Sequence, residues 1–553
     1  MASADRDEIL QALSTGDDNA RIRTLKQIGD LGEEGASFMS LGDDVARHLN
    51  DANKEVITAA MIALGKMGAE GSKFQGEVAR FLGSNEEFIV CAACKSLGLM
   101  GPKASSLAQG LMGLAQGKES HVRAAALVAV GSMHVGQCAK DIAGYLGDQL
   151  PEVQGAACVA LAELGEDAKP YGGEVAKLFE SSDKDAKTQA LLYFSKMGTL
   201  GTGHVEGICK CLADEDVLVR GAALAALSAL GEHANGMAKD VAKRLASSAG
   251  CEKAAAALAL GAMGEKAANF APEIATLLDD KFEDKSGSML GKTGMVTKPP
   301  VALCMPRCAA LQALAKLGPE GGKHSDKVAG LLSDESADVR VAAAEALGAM
   351  GMEGTKHEAE VLKLFEDKDV RVVSAAASAV GLMGKSLGGS NPSTIQEVVK
   401  LLRRQHPGVR SSAAMALGLM GDGVFSHMEK LLKCFHDRCG QVRIAVICAL
   451  EEMGVRGQMY ASDIVRATFD ADAKVRLAAV KALGRMGDRG AACMEDLLEA
   501  LADPEVEVRR AGLEAFGNFG AEAGPYIEAV EALLGDPDLQ VLAQETASKI
   551  SIG

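Results

Sequence analysis

VRVAAAEALGAMG, residues 339–351, returns along the chain in close variants: VRAAALVAVGSMH at 122–134, VRGAALAALSALG at 219–231 and VRLAAVKALGRMG at 475–487. The copies end at 32, 68, 101, 134, 165, 198, 231, 264, 318, 351, 384, 421, 454, 487 and 520. Fifteen copies therefore run through the 553 residues with a prevailing interval of 33, and the one gross departure is 54, between Gly264 and Gly318. A period in the range of about 20–50 residues marks stacked supersecondary units, because one such unit cannot bury its apolar face alone.

Residues 319–351 show what a unit contains. Val339, Ala342, Ala343, Ala346, Leu347 and Met350 fall at i, i+3, i+4, i+7, i+8 and i+11, an apolar stripe of helical period. This second helix, B, is expected to stop at Gly351 in the left-handed conformation that glycine adopts without a Cβ penalty. A shorter stripe, Val328, Leu331 and Leu332, marks a helix A, and Ser333 and Asp334 begin the A–B turn. Helices this short are marginal in isolation, so stability must come from stacking. The chain has no Trp and 3% aromatic residues, and Ala and Gly fill helix B. Gly65, Gly98, Gly131, Gly261, Gly348, Gly381, Gly418, Gly484 and Gly517 each stand three residues before the end of a copy. A mid-helix glycine costs about 1 kcal/mol against alanine. Its recurrence predicts neighbouring helices too close for a Cβ.

The helix B signature, an acidic residue in the preceding turn and then V-R-x-A-A-x-x-A-L-G-x-M-G, resembles HEAT repeats, and most closely the short HEAT-like repeats of phycobilisome lyases. The likeness spans about residues 5–550. It implies an all-α fold, a right-handed α-solenoid (a HEAT/armadillo-like superhelix) of about 15 helix pairs of 33 residues, with the B helices lining its concave surface. The expected organisation is one continuous solenoid: an N-terminal array over 1–280, an inserted loop over 281–304 in the ninth repeat, and a C-terminal array over 305–553. The resemblance also implies an Asp–Arg ladder between repeats, here Asp214 with Arg220, Asp334 with Arg340, Asp437 with Arg443, Asp470 with Arg476 and Asp503 with Arg509. Ile57, Val90 and Gln154 replace the basic residue in the first third. A base recurring at one structural position reads as a stacking device, not as a binding site.

Enzymatic relatives set specific tests. Deoxyhypusine hydroxylase, a HEAT-like di-iron enzyme, places His-Glu pairs just after the helix B arginine. The matching positions here hold Ala124 and Ala125, Gly221 and Ala222, Val341 and Ala342, Ile444 and Ala445, and Leu477 and Ala478. The one His-Glu dipeptide, His357-Glu358, lies in the linker to a helix A and reads as solvated surface. HEAT-like DNA glycosylases need a basic face and aromatic residues, whereas this chain carries a formal charge of −17. Cys91 and Cys94 form a C-x-x-C within a helix B, without a second pair at zinc-binding spacing, and Cys434 and Cys439 bracket His436 in the same isolation. The expectation is no catalytic, cofactor-binding or metal-binding residue, no cofactor, and reduced thiols. The N-terminus, MASADRDEILQALSTGDD, is acidic, and no run of 18 apolar residues occurs, so neither a signal peptide nor a membrane span is expected. The expected location is the cytoplasm, with a cytoskeletal, axonemal or organelle-associated site as the alternative.

Three departures from the repeat point to where function resides. The insertion, with Lys281, Lys285, Lys292, Lys298 and Arg307 against Glu283 and Asp284, is +3 over 281–307. It reads either as a contact element or as a tolerated loop, since added loop length costs little entropy. Residues 400–443 carry +5, which reads as solvated surface in part made by ladder residues, with an acidic partner as the alternative. The third departure is six residues before the end of each copy: Val128, Val159, Leu192, Ala225 and Leu258 in repeats four to eight, but Gln312, Glu345, Ser378, Lys481 and Glu514 among the later ones. That apolar row is expected to form a groove for a partner segment, the competing reading being packing between B helices. The function expected is a non-enzymatic protein–protein scaffold that takes its partner, within a larger complex, on the B-helix face at Val128, Val159, Leu192 and Leu258 and on the loop at Lys285, Lys292 and Lys298. The alternative is a chromophore-lyase-like or chaperone-like assembly factor. Nucleic acid and membrane insertion are not expected.

Overall fold

The computed structural model describes residues 2–39, 41–281, 305–536 and 538–552, and among these every regular element is helical. The chain folds as an α-solenoid whose packing divides into two units, one built on Met1–Ala267 and one on Ala268–Lys281 with Arg307–Gly553. Lys285, Lys292 and Lys298 lie outside the described residues.

In the first unit the B helices include Glu87–Met100, Ser120–Ser132, Pro151–Leu164, Lys184–Met197, Val217–Leu230 and Gly250–Ala262. In the second they include Ala337–Ala349, Val370–Leu387, Pro407–Leu419, Gly440–Glu452, Ala473–Gly484 and Val506–Phe519. A further helix, Gln540–Ile552, packs on the last of these as one more B helix, beyond the fifteen copies visible in the sequence. Val339, Ala343 and Leu347, the stripe of the specimen repeat, are fully buried, as are Val130, Leu161, Leu417 and Leu450 in the same role as Leu347 elsewhere.

Helix A differs from the single short helix expected. In the tenth repeat it is Gly318–Gly322, Ser325–Gly330 and a 3-10 turn over Leu331–Ser333, and several others are broken in a similar way, whereas the twelfth keeps a single helix over Pro392–Leu401. The chain also passes close over the helix it leaves. A Cβ on Gly321, Gly354 or Gly457 would stand 1.9, 1.8 or 1.7 Å from the carbonyl oxygen of Leu314, Leu347 or Leu450, so the chain re-enters directly over the B helix it has just left.

Fourteen of the fifteen predicted repeat ends have positive φ, thirteen on glycine and one on His134 (φ 53). The cap is not the left-handed helical one expected, however. Gly351 has φ 57 and ψ −133, a region that essentially only glycine enters, and it reverses the chain into helix A. The exception is Gly384: the helix runs on to Leu387 and closes on Gly388 (φ 72, ψ 16). This extra turn accounts for the long interval from 384 to 421.

The glycines three residues before each end do mark close helix approach. A Cβ on Gly131, Gly381 or Gly418 would lie 2.4, 2.6 or 2.6 Å from the Cα of Ala160, Ala416 or Ala449 in the next B helix. Gly517 departs from the pattern, because its nearest neighbour, Thr546, is at an ordinary 3.5 Å.

Segments 217–246 and 370–387 are apolar over a membrane-length window, with 50% and 56% of those windows buried inside the protein. In 217–246 the backbone also reverses at Gly231 (φ 55, ψ −129), so no straight helix runs its length.

Candidate protein-binding face

The ladder fixes where each repeat sits on the next, and its register differs from the expected one. Arg340 does not pair with the Asp334 carboxylate. Its Nε and Nη2 donate to Asp367 of the following repeat at 2.8 and 2.9 Å, and its Nη1 donates to the backbone carbonyl of Asp334 at 2.8 Å. The Asp334 carboxylate instead receives Arg307 of the preceding repeat. The shift is uniform. Arg410 binds Asp437 (2.6 and 2.7 Å), Arg443 binds Asp470 (2.7 and 2.6 Å), Arg476 binds Asp503 (2.7 and 2.9 Å) and Arg509 binds Asp536 (2.9 Å). In the first unit Asp214 receives Lys187 at 2.7 Å, and Arg220 reaches Glu252, whose side chain is 1% exposed, at 2.9 Å. Arg340, Arg410, Arg443, Arg476 and Arg509 thus each tie their own A–B turn, through a carbonyl, to the carboxylate of the next turn, while Arg220 ties its turn to Glu252 on the first turn of the next B helix. The Arg410 hydrogen bonds hold the Asp437 carboxyl below its ordinary range; burial pushes Asp367 up, and Arg340 outweighs it to leave that carboxyl lowered too.

The sequence contains a signal for this register. Where the base is missing, the acid of the following turn is missing as well: Ile57 goes with Ser84, Val90 with Gly117, Gln154 with Ser181 and Val373 with Arg404. Pairing inside one repeat would instead set Arg410 against Arg404 and Arg123 against Gly117. Joint loss of both partners is what a two-residue rung requires, since either one alone would be a half-buried unpaired charge.

With the helices held in this way, the row six residues before each end falls on one face of the first unit. Val128, Val159, Leu192 and Leu258 are each half-buried, while Ala225 is buried. The close approach of Gly131 to Ala160 brings the helices carrying Val128 and Val159 together. Leu218, one heptad before Ala225 on the same helix and 37% exposed, extends the row and was not singled out from sequence. In the second unit the equivalent Gln312, Glu345, Lys481 and Glu514 are exposed, while Ser378, Met415 and Cys448 are half-buried. The first unit therefore presents a partly open apolar face that most of the second does not.

Little else in the described residues resembles a chemical site. They contain no group of three or more His, Cys, Asp or Glu side chains placed to hold a metal. Their twelve cysteines form no disulfide; burial pushes Cys94 up to about 12 and raises Cys158 further, so neither is a ready nucleophile. A cleft of about 400 Å³ on the helix A side is lined by Cys209, Met237, Asp240, Lys243 and Arg244 among others, and the Lys243–Asp240 pair (2.6 Å) closes its charge internally.

Comparison with known proteins agrees with this geometry. Residues 305–381 and 325–418 match a family model for HEAT repeats, and residues 475–503 match the PBS lyase HEAT-like repeat. Over these residues the chain carries HEAT repeats. Among solved structures it is similar to Kap121p, with a TM-score of 0.55 and 13% identity over 99% of this chain and 70% of that one, a likeness that shows the fold alone. Kap121p bound to Nup53p (TM-score 0.49, 12% identity, 98% and 73% covered) and importin beta (0.45, 13%, 98% and 76%) also match. No curated protein sequence matches the chain.

Proposed function

We propose that this HEAT-repeat chain is a non-enzymatic scaffold that binds a protein partner on the B-helix face of its first unit. The observation that carries the reading is the row Val128, Val159, Leu192 and Leu258, half-buried in successive or near-successive repeats and replaced mostly by exposed polar or charged residues in the second unit. An apolar strip of this kind suits the apolar side of an amphipathic helix or an extended segment, with anchors fitting between neighbouring B helices. Cysteines that form no disulfide among the described residues fit work in a reducing compartment, and the cytoplasm is the location we propose. The chromophore-lyase alternative rests on the single PBS lyase-type repeat at 475–503 and would show as a tetrapyrrole absorbance in protein recovered from its source.

Leu192→Glu with Leu258→Glu tests the face. Both side chains are half-open, so the variant should keep its helical circular dichroism while pull-down of the native partner falls by about 2 kcal/mol of affinity, roughly thirtyfold. A folded variant that retains the partner would remove the row from the interface, and an unfolded one would make it interior packing.

A further inference from the structure

We propose that the A–B turn edge of repeats 11 to 13, in the second unit, is a docking strip for an acidic, extended segment of a protein partner. The chain as a whole is −17, and its A–B turns are ordinarily acidic: they carry the ladder aspartates, and the neighbouring B helices in this unit have Asp369, Asp472 and Glu505 at their N-caps. Three changes reverse that sign at repeats 12 and 13, next to the exposed Lys368 of repeat 11. At the broken rung the ladder acid is replaced by Arg404, which reaches back to Glu366 (2.5 Å) and the Phe365 carbonyl (3.0 Å). The N-caps of the thirteen-residue helices Pro407–Leu419 and Gly440–Glu452 are His406 and Cys439, so the positive ends of these two helices lack the carboxylate found at Asp369 and Asp472. Lys368, Arg403 and Arg438 at the turns, and Lys430 on the helix Met428–Leu432, are exposed and form no ion pair among the described residues, while Asp437 is taken up by Arg410 and Glu429 by Lys433.

Successive helix pairs stack about 10 Å apart, and an extended chain advances about 3.3 Å per residue. A segment lying across the turns would therefore meet a new cation about every third residue, which points to a partner with acidic side chains at that spacing. Nucleic acid is the less favoured occupant, because its binding requires many neutralised phosphates and the rest of this surface repels them. The strip lies in the other unit from the apolar row, so either site can fail in experiment while the other stands.

The test is fluorescence anisotropy with a labelled peptide bearing glutamate at every third position, with single-stranded DNA and anionic vesicles as rival probes. The wild-type chain should bind the peptide, more weakly as salt rises, and Arg403→Glu with Arg438→Glu should lower the affinity at least about tenfold. Arg403→Gln with Arg438→Gln should weaken it in the same direction, which covers any loss of folding in the reversed-charge variant. Lys210→Glu with Lys239→Glu, in the first unit, should leave binding unchanged. Absence of peptide binding, equal loss in that control, or tighter binding of DNA or vesicles than of peptide would overturn the proposal.

Discussion

Arg340→Ala should cost about 3 kcal/mol of stability in the second unit, and the loss should couple to Asp367 and not to Asp334. Arg340 and Asp367 side chains are 7% and 11% exposed, and the guanidinium makes a two-point contact with the carboxylate while its third nitrogen holds the preceding turn. Removing the arginine strands a half-buried carboxylate and frees two turns together, a loss larger than the net worth of the pair. In a double-mutant cycle, Arg340→Ala combined with Asp367→Asn should be far less than additive. Combined with Asp334→Asn it should be close to additive, because the contact to residue 334 is to its backbone carbonyl and survives that change. Denaturant unfolding reads both cycles. Coupling to Asp334 alone would restore the within-repeat ladder.

Gly131→Val should be the most damaging single change in the first unit, at about 3 kcal/mol. A Cβ at residue 131 would lie 2.4 Å from the Ala160 Cα and 2.8 Å from its carbonyl oxygen, and backbone atoms cannot rotate aside. The two B helices would have to separate, opening the apolar layer around Leu127 and Leu161, both fully buried. The matched change at Gly517 has the opposite sign. There a Cβ meets only ordinary contacts at 3.5 Å, so Gly517→Ala should stabilise its helix by up to about 1 kcal/mol through propensity. Thermal unfolding of both variants, with hydrogen exchange to localise the change, checks the pair; equal effects would mean the glycine position does not set helix spacing.

The period, the helix B stripe and the tight glycines were legible because each is a local pattern repeated many times, and repetition averages out the substitutions at any one copy. The rung register was less legible because Asp334, in the adjoining turn, is the nearer candidate for Arg340 along the chain while Asp367 is the partner across the stack; only the joint losses, such as Val373 with Arg404, point to the second. The broken helix A and the close pass of Gly321 over the Leu314 carbonyl were hidden because no periodicity reports either. The last B helix, Gln540–Ile552, lacks the V-R and L-G-x-M-G residues and so escaped the count, yet its buried Ala543 and Ile550 still pack it on the array. For the candidate site, sequence supplied the row but not its exposure, and Leu218 was missed because the row was followed at a single position of each copy instead of along the face of one helix.

The scaffold reading is tested most directly by placing a photo-crosslinking amino acid at Leu192, on the apolar face, and in a separate variant at Lys239, an exposed position on the helix A side of the same unit. Illumination in the native source should join a discrete protein partner to the chain from position 192 and not from 239. A partner captured only from 239, or none from 192 in protein that is folded and in complex, would contradict it.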